Sequence, residues 1–276
     1  MDSSRMDHLS WVTYEQRVKD PNVIVLLPVG ALEQHGPHLP LGTDALLATA
    51  VAHSVATQIG GIVAPPINYG YKSQPKCGGG QHFPGTTSLD GGTLASLTCD
   101  ILAELARHGV RNVAVVSGHY ENQWFLTEGI DLARRRIGPG SPLRIMRLEY
   151  WDFLTEATLA RIFPQGFPGF ALEHAAVIET SMMLHYFPDL VHLDLLPEEP
   201  PADFPPYDMY PSCTHWVPSS GALSSAKGAS AEKGLRMIDE VSTRIAAALR
   251  QEFIGDRCSS TDDHRHEMQA FTQEAP

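Results

Sequence analysis

The sequence has few cysteines, few basic residues and no long apolar run. Its four cysteines among 276 residues include no C-x-x-C pair, so neither a zinc ribbon nor a disulfide framework is indicated, and a reducing cytoplasm fits best. Lysine and arginine number 20 against 32 acidic residues, and the resulting charge of -12 repels phosphate backbones and anionic lipids. We therefore expect neither a nucleic-acid nor a membrane partner.

The absence of long hydrophobic segments indicates in which cellular compartment the protein is expected. No stretch approaches the roughly 18 apolar residues of a membrane span, and the first residues lack the apolar run of a signal peptide. The composition is 43% hydrophobic, which is enough to bury a full core in one α/β domain. We expect a soluble, cytoplasmic protein with one domain over residues 1–254 and a disordered tail over residues 255–276.

Short apolar runs alternate with segments of helical periodicity. Such alternation predicts an α/β layer fold, a single domain in which helices flank a mostly parallel central sheet and ligands bind beyond the carboxyl ends of the strands. A loop over residues 65–92 is long enough to be functional, and residues 197–218 are rich in proline and predicted to be irregular. The predicted strands are 22–29, 61–64, 112–117 and 142–148, and the predicted helices are 45–59, 93–108, 122–136, 173–185 and 229–251.

The loop after the first predicted strand carries candidate metal ligands. Glu33 and His35 are two residues apart in an extended stretch, so both side chains can enter one pocket while Gln34 faces away. Asp44 returns nine residues after His35 and could close the site. Carboxylate and imidazole groups are metal ligands. The alternative is that Glu33 is solvated and Asp44 only caps the following helix.

A second strand end repeats this pattern. His119 and Glu121, again two residues apart, follow the third predicted strand. Alternatively, His119 ends the strand and Glu121 lies in a first helical turn, where the macrodipole favours it. Two such loops together favour a site for two divalent cations, with Asp44 as a bridging carboxylate. Two cations held in this way lower the pKa of a shared water molecule toward neutrality.

Several motifs give the chain a resemblance to the creatininase family. They are the Glu-x-His loop with its downstream aspartate, Gly-His-Tyr-Glu-Asn at residues 118–122 and Phe-Pro-Gly-Thr-Thr-Ser-Leu-Asp at residues 83–90. The similarity runs from about residue 9 to 253, and further matching stretches are 69–74, 150–153, 204–208 and 223–227.

The resemblance implies a metal-dependent amidohydrolase that opens creatinine to creatine. It implies one ion, manganese or zinc, on Glu33, Asp44 and His119, and a zinc ion on His35, Asp44 and Glu121. It also implies a homo-oligomer, a hexamer by family likeness, acting on a small molecule.

The resemblance further assigns catalytic and pocket residues. His174 is expected to shuttle the proton, supported by Glu179 five residues later on a predicted helix, whereas the sequence alone would make His174 a capping or core residue. Tyr120 and Trp151 are expected to line the pocket, as are two positions that depart from the family. They are Cys77, in place of a serine, and Phe170, which with Ala171 replaces Trp-Asp.

These departures keep the exact substrate open. A lost buried hydrogen-bonding group changes specificity more than a lost methylene does. The alternatives are a hydrolase of the same family acting on another small cyclic amide or a formamide, and a metal-binding protein without catalysis. His174 and Glu179 argue against a protein without catalysis, because they bind no metal in this scheme and would have no role without turnover.

Overall fold

The computed structural model describes residues 4–74 and 80–255. These residues contain a four-stranded parallel sheet with strand order β2-β1-β3-β4, flanked by helices, which confirms the predicted α/β single-domain class. The strands are β1 (Ile24–Val29), β2 (Ile62–Val63), β3 (Asn112–Ser117) and β4 (Arg144–Glu149).

The helices cover both faces of this sheet. Alternate residues of β1 point to opposite sides, as the pleat of a strand requires. Ile24 and Leu26 pack into a core with α2, α6 and α7, while Val25 and Leu27 pack into a second core with α3 and α4. The helices are α1 (Trp11–Val18), α2 (Thr43–Ile59), α3 (Gly91–Arg107), α4 (Gln123–Ile137), α5 (Glu156–Ile162), α6 (Val177–Tyr186) and α7 (Ala231–Phe253).

Two of these helices were not predicted. Helices α1 and α5 are short, and each buries a single residue, Val18 in α1 and Ile162 in α5. One buried residue gives no apolar repeat at helical spacing, so hydrophobic periodicity could not reveal either helix.

The predicted helix over residues 173–185 was wrong at its start. Helix α6 begins at Val177, because Ala175 adopts φ 55° and interrupts any helix through this turn. The carboxylate of Glu173 accepts a hydrogen bond from the Ile178 amide at 2.9 Å and so satisfies the new helix end. His174 therefore lies in a turn before the helix rather than on it.

Some predictions concern residues outside the described part of the chain. Cys77 is one of them, and so is the tail beyond residue 255. Among the helices within residues 4–74 and 80–255, none combines the length and apolar character needed to cross a bilayer.

Candidate metal centre

The sheet brings three strand ends side by side. Val29, the last residue of β1, is in register with Ser117 of β3, and Ser117 is in register with Glu149 of β4. The loops that follow these parallel strands must therefore leave the same edge of the sheet. They carry the Glu33 and His35 loop, the His119 and Glu121 loop, and the Tyr150-Trp151 turn.

Asp44 reaches this edge from the first turn of α2. The helix end packs directly on the strand ends, and a Cβ atom at Gly118 would lie 2.4 Å from the Asp44 carbonyl oxygen. Only glycine permits this approach without displacing the helix. The glycine that ends β3 thus sets Asp44 between the two ligand loops, where its side chain is 3% exposed.

A first group of ligand atoms consists of Glu33, Asp44 and His119. His119 Nδ1 lies 2.9 Å from Glu33 Oε2 and 3.2 Å from Asp44 Oδ2. The other ring nitrogen, Nε2, donates to the carbonyl of Tyr71 at 2.9 Å. Ser73 donates to the second Glu33 oxygen at 2.9 Å. Nδ1 is therefore the nitrogen that His119 turns toward the two carboxylates, as in a histidine prepared to bind a cation.

A second group consists of His35, His174 and Glu179. His35 Nε2 lies 2.9 Å from Asp44 Oδ1 and 3.7 Å from Glu179 Oε1. Its Nδ1 donates to the carbonyl of Glu33 at 3.0 Å, so Nε2 is the nitrogen turned toward the carboxylates. His35 and His119 are thus each held by a backbone carbonyl through one nitrogen and present the other to carboxylates.

The arrangement of these atoms fits cations better than hydrogen bonds. His35 Nε2 and Asp44 Oδ2 are buried and, within the described residues, have no partner in hydrogen-bonding geometry despite the short distances. Buried charges must be neutralised. Two divalent cations would balance the carboxylates that gather here, namely Glu33, Asp44, Glu121 and Glu179.

The electrostatics of the two rings agree with this interpretation. Burial alone would lower the pKa of His35, but the carboxylates of Asp44 and Glu179 raise that pKa well above 6.5. Burial and neighbouring carboxylates act in the same opposing way on His119, and its pKa is also raised. The site therefore attracts positive charge strongly. A pair of divalent cations would neutralise the same carboxylates that the ring protons neutralise here.

Glu121, which was expected to share a metal ion with His35, lies beside His119 in the cluster. Its Oε2 is 3.4 Å from His119 Nε2, and the residue is 3% exposed. In the described part of the chain, it belongs to neither of the two groups of converging ligand atoms. Glu121 is thus at the centre, while its grouping with His35 and Asp44 stays a prediction.

A cavity of about 590 Å³ opens above the cluster. Tyr120, Trp151 and Phe170, which the resemblance assigns to a substrate pocket, line it together with His174 and Glu179. Phe170 is 41% exposed and Tyr120 54% exposed, so both lie at the mouth rather than in the interior. The cavity size suits a small molecule.

The turn before α6 positions the two predicted catalytic residues. Glu179 Oε2 accepts from the Ala175 amide at 2.6 Å, which leaves Oε1 directed at His35. His174 Nε2 donates to the carbonyl of Gln34 at 2.8 Å, and His174 Nδ1 lies 3.8 Å from Glu33 Oε1. Burial and the adjacent His35 hold the pKa of His174 well below 6.5.

Sequence reasoning missed several residues of this site. Ser73 and Tyr71 come from the long loop, whose length and matching stretch 69–74 were signals of function but singled out neither residue. Tyr150 is buried at the cavity wall, and Glu173 lines it beside His174. Gln34 was expected to face away, yet its amide lies beside His174. No spacing rule predicts contacts between residues 140 positions apart.

A parallel α/β sheet with imidazoles and carboxylates gathered at its strand ends defines an α/β protein with a candidate two-metal centre. The family model of creatininase, creatinine amidohydrolase, matches residues 7–249. The chain belongs to the creatininase family.

Individual relatives are similar over nearly their whole length. A creatinine amidohydrolase of Pseudomonas putida is 50% identical over 248 residues, which cover 89% of this chain and 95% of that protein. A manganese creatininase structure has a TM-score of 0.89 and 50% identity, and covers 91% of this chain and 99% of its own. The structure of a Zn-Zn creatininase variant has a TM-score of 0.89 and 49% identity, and the match covers 92% of this chain and 99% of that one. The structure of a creatininase variant complexed with creatine has a TM-score of 0.88 and 49% identity, and the match covers 91% of this chain and 99% of that one.

Proposed function

We propose that this protein is a dinuclear metal-dependent amidohydrolase that opens creatinine to creatine by adding water. The observation that carries the proposal is the buried cluster of carboxylates and imidazoles at the strand ends, found in a chain 50% identical to a creatinine amidohydrolase. The proposed cofactors are two divalent ions, zinc with manganese or two zinc ions, since both metals occur in the related structures.

In the proposed ligand assignment, Asp44 would contribute to both cation sites. Its two oxygens face different imidazoles, with Oδ1 2.9 Å from His35 Nε2 and Oδ2 3.2 Å from His119 Nδ1. Glu33 and His119 would hold one ion with it, and His35 and Glu121 would hold the other. Bound there, two divalent ions would polarise a carbonyl oxygen and lower the pKa of a water molecule.

The proposed role of His174 is to move one proton. Water adds to the ring carbonyl carbon, the carbon–nitrogen bond of the ring breaks, and the proton released by water passes to the leaving nitrogen. His174 Nδ1 is the candidate carrier, because Nε2 is engaged by the carbonyl of Gln34. The low pKa of His174 means that it starts neutral and able to accept the proton. Glu179 supports this step by holding the turn that carries His174.

The cavity wall supports a small, flat substrate. Trp151 and Tyr120 offer aromatic faces, and Phe170 covers the mouth. Cys77 belongs to this proposed set from its position in the sequence. Without the hydrogen-bonding groups that the family has at residues 170 and 171, another small cyclic amide or a formamide is the alternative substrate.

Three further properties belong to the proposal. Residues 1–254 act as one hydrolase domain. The protein works in the cytoplasm, which agrees with the unpaired cysteines in the described residues. It assembles as a homo-oligomer, a hexamer by family likeness, and size-exclusion chromatography with light scattering tests this directly.

A substrate panel tests the proposed activity. The metal-reconstituted protein is assayed with creatinine, hydantoins, lactams and formamides, and each product is identified by mass spectrometry. Creatine formed from creatinine, at the highest kcat/KM of the panel, supports the proposal. Faster turnover of another ring identifies the alternative enzyme, and a panel without turnover supports a metal-binding protein without catalysis.

A further inference from the structure

Gln34 lies between two candidate metal ligands, and its buried side chain is fixed at both ends. Its Oε1 accepts from the Gly36 amide at 3.0 Å, and its Nε2 donates to the Gly221 carbonyl at 3.0 Å. These two contacts determine which end of the amide is oxygen and which is nitrogen. Gly221 lies directly against the amide, since a Cβ atom there would be 1.8 Å from Gln34 Oε1. The loop around residue 221 is in turn bound to the backbone of His174 through the Leu223 amide at 3.0 Å.

Two different atoms of Gln34 contact the same nitrogen of His174. The Gln34 carbonyl lies 2.8 Å from His174 Nε2, and the Gln34 side-chain Nε2 lies 3.1 Å from the same atom. A carbonyl can only accept and an amide nitrogen can only donate. The Gln34 carbonyl therefore accepts from His174 Nε2 when that nitrogen carries a proton, and the Gln34 side-chain amide donates to it when it does not. Neither state requires a water molecule as partner.

We propose that Gln34 is a positioning residue that holds the His174 ring through Nε2, so that Nδ1 faces the metal centre and exchanges the proton. The inference rests on the function proposed for His174. Nδ1 lies 3.8 Å from Glu33 Oε1, and the ring lies against that of His35 at a centroid distance of 4.3 Å. A ring free to turn would present Nε2 to this region for part of the time and lose the alignment that proton transfer requires. Gln34 touches no reacting atom and acts only through His174 and the loop at residue 221.

Two substitutions separate the contacts of Gln34. Gln34→Met keeps the length of the side chain and removes the contacts of the amide with Gly36, Gly221 and His174. Gln34→Glu keeps the acceptor for the Gly36 amide and removes the donor to Gly221 and His174. Each variant should lower kcat by about 10- to 100-fold, the usual effect of losing a residue that orients a functional group. KM should change by less than about threefold, because Gln34 is not expected to touch the substrate.

A matched control is Thr86→Val. The Thr86 hydroxyl accepts from the Gln34 amide N–H at 3.0 Å and so supports the same loop through the backbone of Gln34. This variant should keep kcat within about twofold of the unmodified protein. Two metal ions per chain and an unchanged circular dichroism spectrum are required of every variant, and Gln34→Glu carries the test if Gln34→Met does not fold.

A double-mutant cycle with His174→Ala decides between positioning and general support of the loop. If Gln34 acts through His174, adding Gln34→Met to His174→Ala should lower kcat by less than about twofold further. Losses that multiply, or single Gln34 variants with unchanged kcat, would overturn the inference while leaving the role of His174 intact. If His174→Ala itself keeps full activity, the function proposed for His174 fails, and the inference falls with it.

Discussion

His35 and His174 lie with their ring centroids 4.3 Å apart and their planes inclined at 36°. A positive charge on one imidazole ring at this distance disfavours a positive charge on the other. The neighbouring carboxylates give the positive charge to His35, and burial beside His35 lowers the pKa of His174 well below 6.5. The structure thus separates a ring suited to the cation site from a neutral ring suited to accept a proton.

The first prediction concerns this neutral ring. His174→Ala should lower kcat by about 10²- to 10⁴-fold, the usual contribution of general acid–base catalysis. The metal content should stay at two ions per chain and the melting temperature should change little, because the side chain of His174 is near the cavity rather than in a core. Turnover, metal content and melting temperature are measured on one preparation.

A structural His174 would give the opposite pattern. Its removal would lower the melting temperature and leave turnover per folded molecule close to that of the unmodified protein. Observing this pattern would rule out the proton-carrying role.

The second prediction concerns Asp44, the proposed bridging carboxylate. Asp44→Ala should reduce the metal content from two ions per chain to none, because each half-site loses one of its protein ligands. Elemental analysis of the purified protein measures this. His38→Ala is the control: His38 is on the same loop and fully buried, but its Nε2 contacts the Thr180 hydroxyl at 3.0 Å rather than the cluster. Two ions still bound to the Asp44→Ala protein would exclude the ligand assignment.

The third prediction is a pH dependence of stability that arises from His38. Burial and the charge of His35 lower the pKa of His38 to about 4 in the folded protein, whereas the unfolded chain has the ordinary value of 6.5. The unfolded state therefore binds the proton first as the pH falls, so the stabilisation is present above pH 6.5 and is lost as the pH falls toward 4. The full difference amounts to about 3 kcal/mol.

Urea unfolding at several pH values isolates this contribution. His38→Gln should be less stable than the unmodified protein near pH 7, since it loses a close-packed ring, but should lose less stability between pH 6.5 and 4. Parallel stability curves for the two proteins would mean that His38 does not titrate as the structure implies.

The fourth prediction concerns the choice of substrate. Ala171 and Phe170 line the cavity, and neither offers a hydrogen bond to a ring nitrogen. Ala171→Asp should raise kcat/KM for creatinine about tenfold, because a paired polar atom of the substrate gains roughly 1–3 kcal/mol over an unpaired one. Steady-state kinetics of the two proteins on creatinine and on a lactam measure the change. An equal change in kcat/KM for both compounds would show that residue 171 does not discriminate between the two rings.

The sequence allowed the sheet and the ligands to be predicted for one physical reason. Apolar runs ended by glycine mark buried parallel strands, and polar residues after such strands meet at one edge, as Glu33 and His119 do. The start of α6 was mispredicted, because it depends on the φ of Ala175 and on a cap from Glu173, neither of which has a periodic signal. The contact of Gln34 with His174 depends on tertiary packing alone.

Creatine formation by this cluster should depend on two bound cations. A titration of metal-free protein with zinc or manganese tests this dependence, with bound metal per chain and creatine formed from creatinine measured at each point. Creatine formation should require two ions per chain and should be absent from the Asp44→Ala protein at every metal concentration. Full activity with one ion per chain, or creatine formation by the Asp44→Ala protein, would rule out a dinuclear creatinine hydrolase.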